Sequence, residues 1–411
     1  MIQNYKLQEV FVSVGLPEPT FARRPNLERA IRAWRLLKTK HLLIYGPSKS
    51  GKTSLWKKHV SVFEGDLIKI PCNSNKFLGE VYATILSELS GFYLSEKTKE
   101  SGTSANSSLA AEFQVILTNF GISFGKEDRQ SISTTQARIS PPAIDTNLVI
   151  KFLRESGKFI VLEDFHYAND EFKRELSQDL KAFSDEKCPW ILVGVTRKTS
   201  DLITYNLDLQ QRISLVSVGW FSDEKLEEII DLGEIALNIK FSDEVKSRII
   251  SASLGSASIL QTICLRICIL KNVYTTEHVT VTIDELALVK NACQEIAEED
   301  KAYYEALIGS IYSKANSNSA VAETFKWLFK LIRERDIPEK GLPLSEVVGS
   351  LKELGWSTVQ SRVLANSLGE ALNLLQKERC PVFFEFDETQ TFFLLDKGMK
   401  FIFKWIPTLI D

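Results

Sequence analysis

The sequence predicts an α/β fold in which a parallel sheet is followed by smaller helical units. Two long apolar runs carry this prediction: Phe159 to Asp164 (FIVLED), which ends in two acids, and Trp190 to Val195 (WILVGV), which is followed by the polar Thr196. A third apolar run, His41 to Tyr45 (HLLIY), leads into a glycine-rich turn and then into a helix-compatible segment. Continuous apolar runs are typical of strands that helices cover on both faces, as in parallel sheets.

The glycine-rich turn fits the pattern G-x-x-x-x-G-K-[ST] in full, and the strand before it supplies the context that the pattern requires. Its glycines allow tight bending, so that successive backbone N–H groups point at an anion beside the positive end of the next helix. A Gly/Ser loop that ends in Lys-Thr by chance is the plain alternative. We therefore predict a P-loop NTPase site in which Lys52 reaches the β- and γ-phosphates and Thr53 holds Mg²⁺. The predicted nucleotide-binding residues of this stretch are Gly46, Pro47, Ser48, Lys49, Ser50, Gly51, Lys52, Thr53 and Ser54.

Polar residues at two strand ends are the candidates for catalysis. Glu163 and Asp164 close the run FIVLED, and ligands of open α/β sheets bind at this end of the strands. By register Glu163 would bind Mg²⁺, directly or through water, and Asp164 would orient or deprotonate the attacking water. Acidic turn residues without a function are the alternative. Thr196 follows WILVGV, and its hydroxyl, which both donates and accepts, would contact the γ-phosphate or the lytic water.

Two arginines are further candidates. Arg24 stands beside Arg23 just ahead of an amphipathic helix, a place from which it would approach the base and ribose. An exposed arginine at a helix start is the alternative, because exposure is usual for this residue type. Arg212 directly precedes a strand and would stabilise transition-state charge in the site of a neighbouring subunit. A surface arginine at a strand start explains it equally well.

Composition limits the class of protein. With 411 residues, 44% of them hydrophobic and 25% charged, the chain has room for two or three ordinary globular domains. A net charge of −3 gives no electrostatic reason to expect a strong polyanion binder. Six scattered cysteines are typical of reduced thiols, and the N-terminus shows no signal-peptide pattern. These features favour a cytoplasmic protein without a membrane segment.

The order of the motifs resembles that of the AAA+ superfamily of ATPases, especially the branch shared by STAND switch proteins and origin-recognition-type ATPases. The motifs are strand-GPSKSGKT-helix, FIVLED, WILVGVT and QQRI. The resemblance covers residues 23–273. It implies ATP and Mg²⁺ as cofactors and a helical lid after the nucleotide domain. Two departures favour a slow STAND-like switch. The acidic pair reads Glu-Asp rather than Asp-Glu, and Gly255 to Ser258 holds no arginine where many members place a phosphate-sensing one.

Beyond the lid, a unit of three predicted helices and a hairpin resembles a winged-helix domain. The helices are Ala322 to Arg335, Leu344 to Leu354 and Ser357 to Lys377, and the hairpin strands are VFFEF and TFFLL. The predicted domains are a lead-in helix at 1–40, a P-loop ATPase domain at 41–220 with a Ser/Thr-rich insertion at 95–142, a helical lid at 221–278, a helical connector at 279–320 and the winged-helix domain at 321–411.

The family resemblance leaves two functions to weigh. The first is a nucleotide-driven switch that assembles with itself or with a protein effector, in signalling or bacterial defence. The second is a DNA-associated loader, or a regulator of transposition or replication, whose winged helix binds duplex DNA. Phosphate contacts need lysine and arginine in number, whereas the third predicted helix offers Arg362 together with Glu370 beside an acidic wing tip. We therefore expect ATP or ADP and a protein as partners, rather than nucleic acid.

Overall fold

The computed structural model of the chain describes residues 4–13, 15–60, 67–99, 145–195, 200–315, 319–356, 383–386 and 389–410. Most of the predicted Ser/Thr-rich insertion lies outside these residues. So do Thr196 and the predicted helix Ser357 to Lys377.

The central sheet confirms the predicted α/β fold class. Its strands are β1 (His41–Tyr45), β2 (Leu67–Pro71), β3 (Phe159–Glu163), β4 (Trp190–Gly194) and β5 (Ile213–Ser217). Within the described residues these five strands form one sheet in the order β2-β3-β4-β1-β5, and every neighbouring pair is parallel. Tyr45 at the end of β1 pairs with Gly194 on one side and Ser217 on the other, so the loops that follow these strands meet at one edge.

Helices cover both faces of the sheet, which explains why the strands read as unbroken apolar runs. One face packs against α2 (Pro25–Leu37) and α3 (Lys52–Val60), with Trp34, Trp56 and Val161 in its core. The other face packs against three helices: α4 (Leu78–Lys99), α5 (Thr146–Ser156) and α6 (Asp170–Asp185). The short helix α7 (Ser200–Tyr205) completes this half of the chain, whereas α1 (Leu7–Val10) packs in the core of the helical unit that follows the sheet.

A helical unit follows the sheet at the place of the predicted lid and is named the lid for that position; its role as a lid remains a prediction. It contains α8 (Asp223–Leu237), α9 (Asp243–Ser253) and α10 (Ala257–Leu270). Ser242 caps α9, because its hydroxyl accepts a hydrogen bond from the Val245 N–H at 3.3 Å. Ser222 stands at the corresponding position of α8 without a side-chain cap bond. The sequence did not predict the parallel pair β6 (Ile239–Phe241) and β7 (Val281–Ile283) in this unit.

The C-terminal unit consists of helices around a small antiparallel sheet. Its elements are α11 (Leu286–Ala315), α12 (Ser319–Glu334), β8 (Leu342–Pro343), α13 (Leu344–Glu353), β9 (Phe384–Phe386), β10 (Thr391–Leu394) and α14 (Lys397–Trp405). The predicted hairpin is present, since β9 pairs antiparallel with β10, and β8 adds on the other side of β10. Helix α14, which the sequence did not predict, buries Phe401 and Phe403 in the same core as the lid. Among the described residues, no helix combines the length and apolar character needed to cross a bilayer.

His41, the first residue of β1, is buried and uses both ring nitrogens. The Trp190 N–H donates to Nδ1 at 3.0 Å, so Nε2 carries the proton and donates to the Leu180 carbonyl at 2.7 Å. Burial lowers the pKa of His41 from 6.5 to about 4, with a smaller contribution from Arg212 in the same direction. The folded protein therefore holds this imidazole neutral at pH values where the unfolded chain protonates it.

This difference predicts how the stability of the sheet depends on pH. Between pH 6.5 and pH 4 the unfolded chain binds the extra proton, so the free energy of unfolding falls as the pH falls. We expect His41→Gln to remove about 1.6 kcal/mol of the loss between pH 6.5 and pH 5, measured by urea unfolding. His278→Gln, which removes an exposed imidazole, is the control and should keep the wild-type loss. An unchanged pH dependence in His41→Gln would contradict this assignment.

Candidate functional site

The glycine-rich turn between β1 and α3, Gly46 to Gly51, passes close to the neighbouring strand. Gly46 has φ +149°, and a Cβ at this position would lie 2.0 Å from the carbonyl oxygen of Val218, the residue after β5. Only glycine fits there, because both the dihedral angle and the space exclude a side chain. Gly51 has φ +86°, and a Cβ there would lie 3.0 Å from Arg24 Nη2. The turn is therefore held against β5 on one side and against Arg24 on the other.

Lys52, the first residue of α3, lies buried at the base of this turn. Its Nζ donates to the carbonyl of Pro47 at 2.6 Å and to the carbonyl of Gly46 at 3.0 Å. Burial lowers the pKa of Lys52 from 10.5 to about 8, and the charges of Asp164 and Asp396 partly oppose this shift. The ammonium group thus lies at the N-terminus of α3, a position at which an anion would be stabilised.

Ser50 of the turn and Thr53 of α3 could contact an anionic group and its metal ion. The hydroxyl oxygen of Ser50 is buried and has no hydrogen-bond partner among the described residues. Thr53 is exposed on the first turn of α3, beside the helix N-terminus. A buried polar atom without a partner costs free energy, and a phosphate oxygen or a metal-bound water would satisfy it. The residues present therefore fit the predicted nucleotide and its Mg²⁺.

Arg24 braces the turn from the outside. Its Nη2 donates to the Ser50 carbonyl at 3.0 Å, and its Nη1 donates to the Gly219 carbonyl at 3.2 Å. The guanidinium lies over the Phe221 ring, 4.2 Å from the centroid, and burial lowers its pKa to about 10. Sequence reasoning placed Arg24 near the base and ribose. The structure gives it contacts with the main chain of the turn, and a direct nucleotide contact remains a prediction.

The two predicted acids lie at the same edge of the sheet as the turn. Glu163 ends β3 and, by strand alternation, shares a face with Val161, on the side of the sheet where α3 packs. Asp164 follows with φ 55°, a left-handed conformation that is uncommon outside glycine, and its side chain is exposed. The charge of Asp164 acts on Lys52 across the edge, raising its pKa against the effect of burial. The division of roles between Glu163 and Asp164 remains a prediction.

His166 is a residue of this edge that sequence reasoning missed. It is buried two positions after the acids, and the Val195 N–H donates to its Nδ1 at 3.4 Å. Its Nε2 therefore carries the proton, yet it has no hydrogen-bond partner in the part of the chain that the structure describes. Burial, together with the charge of Lys52, lowers the pKa of His166 to about 4. The sequence did offer one signal for His166, namely a titratable residue two positions after the acidic pair.

A cavity of about 530 Å³ adjoins the turn and reaches into the lid. Its lining residues include Phe21 from the lead-in segment, Thr53 from the first turn of α3 and Ile259 from α10. Gln261 bridges two of its walls, because its Nε2 donates to the Thr20 hydroxyl at 2.9 Å and its Oε1 accepts from the Val12 N–H at 3.1 Å. The cavity has anion-binding groups at one side and apolar side chains at another, as a nucleotide requires.

Arg212 lies at the opposite end of the sheet. It precedes β5, its carbonyl accepts a hydrogen bond from the His41 N–H at 2.8 Å, and its guanidinium forms an ion pair with Asp185. Strands β1 and β5 are parallel and five residues long, so about 16 Å of strand separates this end from the glycine-rich turn. The structure does not bring Arg212 to Lys52 within one chain.

Comparison with known proteins gave matches among solved structures. The Walker-type ATPase PABY2304 of Pyrococcus abyssi is 15% identical, with a TM-score of 0.49 over 93% of this chain and 95% of that chain. The Aeropyrum pernix ORC2 protein, solved as ADPNP–ADP complexes, is 14% identical, with a TM-score of 0.47 over 99% of this chain and 98% of that chain. The Thermotoga maritima RuvB Holliday junction branch migration motor is 15% identical, with a TM-score of 0.42 over 95% and 97%. No protein-family model matches, and no curated protein matches.

The close approach of Gly46 to Val218 gives a direct test of the turn geometry. Gly46→Ala would force the turn away from β5, and we expect it to cost about 1–3 kcal/mol of stability, read as a lower melting temperature. Gly79→Ala is the matched control, since a Cβ at Gly79 meets nothing within 4 Å and lies in a helix. Equal melting temperatures for the two variants would contradict the close approach.

Proposed function

We propose that this protein is a cytoplasmic AAA+/STAND-type switch that binds ATP with Mg²⁺ and hydrolyses it slowly. The observation that carries the proposal is the buried Lys52 ammonium at the base of a turn of main-chain N–H groups, with carboxylates across the sheet edge. A buried lysine held by carbonyls alone is costly, and phosphate oxygens would stabilise its charge. The unpartnered Ser50 hydroxyl supports the same ligand.

The residues of the edge then take distinct roles. Lys52 and the N–H groups of the turn hold the β- and γ-phosphates, and Thr53 with Glu163 holds Mg²⁺. Bound Mg²⁺ supplies charge neutralisation at the phosphate oxygens. Asp164 positions a water molecule and accepts its proton, and His166 Nε2–H is a further donor at the same edge.

The proposal of slow turnover follows from Asp164. An aspartate is one methylene shorter than the glutamate more common at this position of the related ATPases, so its carboxylate reaches less far from the main chain. Its left-handed backbone conformation fixes the direction in which this short side chain leaves the strand. A base that reaches its water less well lowers the rate without lowering nucleotide affinity. Such an enzyme suits a switch better than a motor.

Self-assembly would complete the site. Because Arg212 is a strand's length away from Lys52 in its own chain, it can act on a phosphate only in a second copy. Arg212 lines an open polar cavity together with Asp185 and Lys181, so its guanidinium is accessible from outside. In the assembled form the guanidinium would leave Asp185 and stabilise transition-state charge in the neighbour. A protein effector remains an alternative partner, and nucleic acid is not favoured.

Steady-state phosphate release tests the enzymatic proposal. We expect Lys52→Ala and Asp164→Asn each to lower ATP turnover by about 100-fold or more, since Lys52 acts on the reacting phosphate and Asp164 on the attacking water. Lys58→Ala, which removes a lysine from the same helix with its ion pair to Glu18 and its contact with the Phe21 ring, should turn over like the wild type. Equal turnover in all four proteins would contradict the proposal.

A further inference from the structure

Helix α2 ends in two apolar side chains that its own chain leaves uncovered. Leu36 is 84% exposed and Leu37 is 68% exposed, although both belong to a helix that packs on the sheet. The buried side of α2 carries Ile31 and Trp34, so the two leucines lie on the side that is turned away from the core. Adjacent exposed apolar side chains are typical of a surface that another molecule covers.

The surroundings of these leucines are strongly basic. Between Arg29 and His41 the sequence holds five cations and no carboxylate, although the whole chain has a net charge of −3. Arg29 is exposed on the same side of α2 as Leu36 and forms no ion pair with any residue that the structure describes. The name basic patch is used below for Arg29, Arg32, Arg35, Leu36, Leu37, Lys38 and Lys40.

Helix α8 of the lid has the opposite charge. Between Asp223 and Ile235 the sequence holds six carboxylates and one lysine. Glu227 is exposed on this helix, and in the described part of the chain it has no ionic partner. A cation on a second molecule could therefore pair with Glu227 without breaking an existing ion pair.

This acidic helix also ends beside uncovered apolar side chains. Ile235 is 78% exposed and Val279 is 79% exposed. Val279 lies near the end of α8, because the hydroxyl of the next residue, Thr280, donates to Asn238 Oδ1 at 2.9 Å. The name acidic patch is used below for Asp223, Glu224, Glu227, Asp231, Ile235 and Val279.

The two patches match in charge and in layout. Each has charged residues along one helix and apolar residues at the C-terminal end of that helix. Arg29 precedes Leu36 by about 11 Å of helix, and Glu227 precedes Ile235 by about 12 Å. Both patches are exposed in the same chain, so neither covers the other. A second copy of the chain therefore offers each patch a surface of complementary charge and similar length.

The exposed leucines favour a protein rather than a nucleic acid as the partner of the basic patch. Interfaces with nucleic acids are polar and strongly charged, and a phosphate backbone offers no apolar group to Leu36 and Leu37. Protein interfaces bury apolar side chains at their centre and keep charged residues at the rim. The acidic patch offers both kinds of group.

Both patches adjoin parts of the proposed nucleotide site. Lys40, at the end of the basic patch, lines the open polar cavity that Arg212 also lines. Ile229, on the same helix as the acidic patch, lines the cavity beside the glycine-rich turn. A contact between the basic patch of one copy and the acidic patch of another would thus bring Arg212 of the first copy towards the nucleotide cavity of the second.

We propose that the basic patch of one copy docks on the acidic patch of a second copy. This inference rests on the proposed self-assembly and names the surfaces that carry it. The two surfaces differ, so the contact is head to tail, and each docked pair keeps one free patch of each kind for further copies. Because opposite charges hold the rim of the contact, added salt weakens it.

Sedimentation of the full chain with Mg²⁺ and the non-hydrolysable analogue ADPNP tests this contact. Leu36→Glu puts a carboxylate into the basic patch, and Ile235→Arg puts a cation into the acidic patch. Both side chains are mostly exposed, so the fold of one copy is kept. We expect each variant alone to associate about tenfold or more weakly than the wild type, because like charges then face each other. Phe77→Glu, which changes an exposed apolar residue outside both patches, is the control and should assemble like the wild type.

An equimolar mixture of the two variants gives the sharpest result. Leu36→Glu keeps an intact acidic patch and Ile235→Arg keeps an intact basic patch, so the mixture should form dimers and nothing larger. A mixture that stays monomeric, or variants that assemble like the wild type, would overturn the docking. Retention of a DNA duplex by a monomeric wild type would overturn it as well and would identify nucleic acid as the occupant of the basic patch.

Calorimetric titration with ADPNP keeps this inference separate from the proposed function. Both variants should bind ADPNP like the wild type, because neither residue lines the cavity beside the turn. If the wild type assembles and the variants assemble equally well, only the named surfaces are wrong. If the wild type binds ADPNP and stays monomeric, the proposed self-assembly is wrong too, and if it does not bind ADPNP, the nucleotide function itself is wrong.

Discussion

The contact between Gly46 and Val218 sets the geometry on which the rest of the site depends. Because a Cβ on Gly46 would lie only 2.0 Å from the Val218 carbonyl oxygen, the main chain of the turn is seated directly against the end of β5. The N–H groups of the turn and the Lys52 ammonium are consequently fixed relative to the carboxyl edge of the sheet. Glu163, Asp164 and His166 reach the same edge from β3, so charges of opposite sign face each other there.

The hydrogen-bond donors of this turn stabilise it only when each has an acceptor. Lys52 uses the carbonyls of Gly46 and Pro47, and Ser48 uses the carbonyl of Leu395. Since donors without acceptors cost free energy, the C-terminal unit contributes to the stability of the turn in the state described.

Much of the sheet and the turn was predictable from the sequence because the signals are local. The strands were recognised from unbroken apolar runs, and the turn from fixed glycine and lysine spacing within eight residues. The bracing by Arg24, the docking of Leu395 and the pair β6–β7 were not predictable, because each joins segments far apart in the chain. Helix α14 was missed since its segment, KGMKFIFKW, directly follows a hairpin and is short.

Amide hydrogen exchange of the full chain with and without ATP and Mg²⁺ tests the central claim most directly. The claim is that the main-chain N–H groups of Gly46 to Thr53 bind a phosphate group. We predict slower exchange in Gly46 to Thr53 on adding ATP, because bound phosphate oxygens would accept hydrogen bonds from these amides. Exchange that stays the same in the glycine-rich turn at saturating ATP would contradict the account.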